Sequence, residues 1–138
     1  MIARSLIASY CNANYQIGTG SEPIILRIDQ YSEPLARFLA ASQQPCGAII
    51  SACNPHSQLL SNEANRAAHE SFRNFLQRHA HPVIESVNTD PTGKWPAEKS
   101  FLITGLSLNA ARSLGQQLNQ NAIVWIGNDA IPRLILLR

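Results

Sequence analysis

An apolar run, Gly47-Ala48-Ile49-Ile50, breaks at Ser51-Ala52-Cys53-Asn54-Pro55-His56-Ser57 into polar residues, and a long helical pattern opens directly behind it. The run reads as a buried strand, and a buried strand feeding a helix through a proline turn demands helices packed on a sheet. In such folds the polar turn at the end of a strand is where a ligand usually sits. This one stretch therefore sets both the fold class and the place to look for a site.

The rest of the chain supplies the other elements. Residues 4–11 can form a short amphipathic helix, residues 12–17 look more extended, and Gly18-Thr19-Gly20-Ser21 is a turn. Residues 23–28 are short and β-branched, as a strand requires. Ser32-Glu33-Pro34 then supplies a capping hydroxyl and a first-turn proline for a helix that carries Leu35, Phe38 and Leu39 and closes before Pro45. A longer helix runs from about Ser61 to His79, with Ala64, Ala68, Phe72, Phe75 and Leu76 on one stripe. Asn65 falls near the middle of that stripe, His69 towards its edge and Arg66 at its border. Strands are expected at 82–87 and 100–104, a third helix after Ser107 with Ala111, Leu114 and Leu118 inward, and a hairpin of 121–126 with 132–137 about Gly127-Asn128-Asp129. The expected architecture is α/β (α+β): a single globular domain over residues 1–138, with a mixed sheet of five to six strands packed with three main helices.

Composition narrows the function classes. Only 14% of the residues are charged, and the surface is rich in Asn, Gln and Ser, which suits self-association. The net charge of +2 comes from scattered arginines with no run that would grip a phosphate backbone, so nucleic acid is not an expected partner. Cys11, Cys46 and Cys53 are odd in number and lack CxxC spacing, so reduced thiols in a cytoplasmic protein are expected. The first residues lack the 7–15-residue apolar centre of an export signal, and no segment approaches the ~20 apolar residues of a membrane span.

The candidate chemistry falls in two groups. In the first, Asn54, Ser57 and Asn65, with Arg66 beside them, surround a strand end and a helix start whose free backbone N–H groups would favour an anion. The competing reading makes Asn54 and Ser57 turn formers and Ser61 a helix cap. In the second, Glu98 stands near Trp95 and Pro96 at the end of a polar loop. Partial burial beside an indole would raise its pKa into the range useful for an acid or base, whereas an exposed carboxylate would merely pair with backbone or Arg66. Trp95 either stacks on a ligand or seals the core edge. Cys53 with His56 makes a poor thiol–base pair, since a cysteine ending a buried strand is usually packing. His79 and His81 straddle a helix end, where histidines serve more often as terminal cations than as metal ligands. Gly18-Thr19-Gly20-Ser21 lacks the lysine and the preceding strand of a P-loop. No pattern in the chain requires a metal or a cofactor.

Asn54-Pro55-x-Ser57, Ser61-x-x-x-Asn65-Arg66, Gly93-x-Trp95-x-x-Glu98-x-Ser100 and Gln120-Asn121-Ala122, in this order, resemble a family of small bacterial proteins catalogued as domain of unknown function 3293. The resemblance spans residues ~10–137. In the family pattern an aromatic often precedes the Asn-Pro pair, where this chain has Cys53, and a second acidic residue often follows the glutamate, where it has Lys99. The resemblance implies a set of positions and no established activity. Two functions are therefore expected to compete. One is a site for a polar small molecule, a class that includes phosphorylated and nucleotide-like compounds, with Asn54, Ser57, Asn65, Arg66 and Trp95 binding and Glu98 as the catalytic acid or base. The other is a non-catalytic interaction module that pairs with itself or another protein, through an apolar helix surface or an edge strand such as 132–137.

Overall fold

A computed structural model describes residues 2–18 and 20–138. Met1 and Thr19, which belong to the chain start and the expected Gly18–Gly20 turn, lie outside the described residues. The elements in chain order are α1 (Arg4–Asn12), β1 (Asn14–Ile17), β2 (Ile24–Leu26), α2 (Glu33–Ala41), β3 (Gly47–Ile50), α3 (Asn62–Arg78), β4 (Val83–Thr89), β5 (Glu98–Thr104), α4 (Leu108–Gln117), β6 (Ala122–Ile126) and β7 (Pro132–Leu136). A single 3-10 turn, Pro55–Ser57, lies between β3 and α3. The seven strands form one sheet in the order β2-β1-β4-β5-β3-β6-β7.

Every strand pair in this sheet is antiparallel, which corrects the expectation of a mixed sheet. The reason lies in the crossovers. β3 and β4, joined by α3, run in the same direction, as a strand–helix–strand unit should. Between them, however, lies β5, antiparallel to both. β5 and β6, joined by α4, are likewise separated by β3. Each helix thus skips a strand, and the gap is filled by one of opposite sense. The strand count is seven because the extended segment after α1 pairs on both sides, with β2 and with β4.

Helices cover both faces. Alternation along the central strands sends Ile49, Leu102, Val124 and Ile126 to one face, where Leu35 and Leu39 of α2 pack with Tyr15 and Leu26. Ala48, Ile50, Phe101, Ile103 and Ile123 point to the other, against Phe72 and Leu76 of α3 and Ala111 and Leu114 of α4. All four residues of β3 are buried, as the uninterrupted apolar run requires. The capping hydroxyls of Ser32, Ser61 and Ser107 accept from Leu35 N (3.2 Å), Ala64 N (3.1 Å) and Ala110 N (3.2 Å), fixing where α2, α3 and α4 begin. His69, at the edge of the α3 stripe, is buried and stacks on Phe101 at 4.3 Å. Together with Arg73 it reaches Glu85 of β4, which ties α3 to the sheet.

Candidate functional site

The α1 face of the sheet carries a polar patch amid its apolar core. Asn88 of β4 lies directly opposite Glu98 of β5, and Tyr15 of β1 lies opposite Asn88 on the other side. Directly opposed residues in an antiparallel sheet put their side chains on one face, so the three form a row across it. Glu98 is therefore the first residue of a strand, where the loop reading had placed it outside the sheet. Ser51, just beyond β3, adds its hydroxyl beside that row.

These residues floor a cleft of about 110 Å³ between α1 and the sheet. Tyr10 and Leu6 of α1 form its roof; Asn54, Ser57 and Leu59 one wall; Trp95 and Pro96 the other. Asn54, Ser57, Trp95 and Glu98, drawn from two motifs about 40 residues apart in sequence, thus line one concavity. Asn65 stands one layer behind it. Its side-chain oxygen accepts from Asn54 N (2.9 Å) and its amide nitrogen donates to Asn54 Oδ1 (2.8 Å), so it ties down the loop. Arg66 is exposed and is not among the lining residues, so the structure does not bring it to the cleft.

Asn54 is held in the left-handed region, with φ of 48°, and His56 and Ser57 follow at 58° and 59°. Three non-glycine residues in that region within four positions make a strained turn, which persists only where its surroundings over-determine it. The surroundings do so. Asn54 Oδ1 accepts from Leu60 N as well as from Asn65, which orients the amide nitrogen of Asn54 towards Glu98. Ser57 Oγ accepts from Asn121 Nδ2 (2.9 Å) and bonds Tyr10 Oη, latching α1 to the turn. Gln120 Nε2 donates to Cys53 O (3.1 Å).

Within the turn, five of the backbone N–H groups are not free to cradle an anion. The N–H groups of Asn54, His56, Ser57, Gln58 and Leu60 already donate to Asn65 Oδ1, Asn119 O, Asn54 O, Pro55 O and Asn54 Oδ1. They are spent on folding the loop.

Glu98 is the one titratable group on the floor whose pKa is moved towards neutrality. Burial pushes its carboxyl from the ordinary 4.5 up to about 7, against the opposing effect of donors from Ser51 and Asn54. Ser51 Oγ sits 3.0 Å from Glu98 Oε1, 2.9 Å from Lys99 O and 3.0 Å from Cys53 N. The Ser51 proton can therefore go to the carboxylate when Glu98 is ionised and to Lys99 O when Glu98 is protonated. In the second case Ser51 Oγ accepts the carboxyl proton, so both states of the acid have a partner. Burial also raises the thiol of Cys53, which makes hydrogen bonds to Lys99 O and Asn65 O. His56 turns outward to Arg138, so the two form no nucleophile–base pair. No group of three His, Cys, Asp or Glu side chains close enough to share a metal occurs among the described residues.

Several site residues were not legible as such. Asp90 accepts from Thr92, Lys94 N and Trp95 N, and these bonds hold its carboxylate below the usual range while folding the loop that presents Trp95. Its signal is Asp90-Pro91-Thr92-Gly93, a turn-forming tetrad. Tyr15 and Asn88 had no local signal, because only the strand register brings them to one place, and Tyr10 joins them only through the packing of α1.

A half-buried carboxyl in a cleft beneath α1 on an antiparallel sheet defines this as an α+β protein with a partly open cleft of mixed polar and apolar lining. The chain belongs to a family described as "Protein of unknown function (DUF3293)", whose sequence model matches residues 50–123. That segment holds Ser51, Asn54, Asn65, Asn88, Trp95, Glu98 and Gln120, but not α1. No curated protein and no solved structure matches the chain.

Proposed function

We propose that the chain binds a small polar molecule in the cleft beneath α1 and that Glu98 exchanges a proton with it. The observation that carries this reading is the convergence of Asn54, Ser57, Trp95 and Glu98 on one concavity whose floor holds a half-buried carboxyl. The described lining contains no Lys, Arg or His, and the neighbouring backbone N–H groups are committed, so the phosphorylated end of the ligand class is disfavoured. An added anion beside Glu98 would cost Coulomb energy with no compensating cation. An uncharged or weakly basic polar molecule fits better.

The test is a metabolite screen by thermal shift, followed by an activity assay of each hit on wild type and on Glu98→Gln. The amide keeps the shape of the acid but cannot cycle a proton near neutral pH, so turnover falls by at least about 100-fold while the fold is retained. A hit turned over equally well by both proteins removes Glu98 from the chemistry. The second reading, self-association, rests on β7, an edge strand whose Leu136 is exposed.

A further inference from the structure

Two hydrogen-bonding groups of the cleft, Asn88 and Glu98, face each other across a strand pair. Asn88 Oδ1 accepts from Ser100 Oγ at 2.8 Å, and that hydroxyl in turn contacts Ser86 Oγ at 2.6 Å inside the sheet. This buried chain fixes the amide's orientation and leaves Asn88 Nδ2 with no partner among the described residues. Directly across the strand pair lies Glu98, whose Oε1 takes the Ser51 contact and whose carboxyl also meets the Asn54 amide, with lone pairs left over for a ligand. Gln120 donates through Nε2 to Cys53 O and Leu118 O, leaving Oε1 as an acceptor at the same cleft. The three residues offer a fixed donor, a group that accepts when ionised and donates when protonated, and a fixed acceptor. Planar side chains flank them, Tyr15 at the floor and Trp95 at the mouth.

A fixed N–H donor beside a carboxyl oxygen is the complement of two neighbouring polar atoms in one plane, an acceptor next to an N–H or a ring nitrogen. That is the edge of a lactam or an amidine. Aromatic walls favour flat ligands, because a ring buries its faces against them at little entropic cost. The missing cations and the spent loop N–H groups disfavour a phosphate.

Resting on the small-molecule reading above, we infer that the cleft recognises the lactam or amidine edge of a flat, uncharged nitrogen heterocycle, a free nucleobase or nucleoside without phosphate, through Asn88 and Glu98. Protonated on the oxygen away from Ser51, Glu98 donates to a ring nitrogen while Ser51 Oγ donates to Oε1; ionised, it accepts from a ring N–H.

The experiment titrates the full chain with uracil, cytosine, adenine and hypoxanthine, their ribonucleosides, the 5′-monophosphates, and analogues N-methylated on the edge. Amide chemical shifts and Trp95 fluorescence are followed. The expected result is that at least one base or nucleoside shifts cleft amides, while its monophosphate and its edge-methylated analogue bind about tenfold or more weaker. Asn88→Leu, checked for folding by chemical denaturation, is expected to lose a similar factor. The edge-methylated ligand on the wild-type protein serves the same purpose if that variant does not fold. A monophosphate that binds tighter than its nucleoside overturns the inference, and so does indifference to edge methylation. If no heterocycle shifts the cleft but a non-planar compound such as serine or sorbitol does, the inference fails and the small-molecule reading stands. If neither group shifts it, both fail.

Discussion

Two demands oppose each other at Glu98: burial stores free energy against its charge, and the proposed proton exchange needs that charge accessible near neutral pH. With its folded pKa at about 7 against an ordinary 4.5, the fold binds the proton more tightly than the unfolded chain does. The acid's contribution to stability is therefore greatest below about pH 4.5, declines as pH rises to about 7, and is flat above that. The decline amounts to about 3 kcal/mol, from the pKa difference at 1.36 kcal/mol per unit. Glu98→Gln is expected to remove this slope and to be more stable than wild type at pH 8, as urea denaturation at pH 5 and pH 8 will show. Equal pH slopes for the two proteins would mean that the carboxyl is solvated in the fold. Asn65 makes the contrasting case. Both of its polar atoms are spent on Asn54, so Asn65→Ala leaves Asn54 N and Oδ1 short of partners, and an expected loss of about 1–3 kcal/mol follows without any ligand. An unchanged denaturation midpoint would remove Asn65 from the loop's support. The helical wheel placed Asn65 inward from sequence alone, since an amide on an apolar stripe must find a partner. Which partner it finds depends on the turn, and no periodicity encodes that.

Among the elements, α1 stands apart from the others. It has no fully buried residue and no side-chain cap at its start, whereas α2, α3 and α4 each have a serine cap and at least two buried side chains. Its ties to the site are the Tyr10–Ser57 bond and the 2.7 Å bond from Tyr15 Oη to Tyr10 O. A roof held this way is expected to open at lower free energy than the sheet unfolds. Amides of residues 6–12 are expected to exchange with deuterium faster than those of α3. Tyr10→Phe is expected to speed them about threefold or more while leaving the global denaturation midpoint within about 0.5 kcal/mol. Exchange of α1 in step with α3 would show that the roof moves only with the whole fold. Capping serines and apolar stripes made α2, α3 and α4 legible in the sequence, because both signals are local. The strand after α1 was not counted, because four residues of mixed character become a strand only through two flanking partners.

At the scale of the whole molecule, the central strands and the three main helices could be read from the chain, but the order of the strands and the faces the helices cover could not. Helical crossovers imply that β3 runs with β4 and β5 with β6, and the structure keeps both relations. What periodicity cannot reveal is that each crossover leaves room for a strand between its ends. The same interleaving creates the cleft floor, since it brings Glu98 between Asn88 and the end of β3. It also leaves β2 and β7 as the sheet's edges, each with an exposed apolar residue, Ile25 at 48% and Leu136 at 37%. β2 is three residues long and offers little to pair with, so β7 is the edge on which self-association would depend. Opposing that use, Arg133 at its start is held by Asp129, 2.7 Å away, which keeps a charged group on the edge. If the small-molecule reading is right, sedimentation equilibrium returns the mass of one chain, and Leu136→Lys leaves it unchanged. A dimeric mass that Leu136→Lys halves, with Glu98→Gln silent in every assay, would shift the function from the cleft to the edge strand.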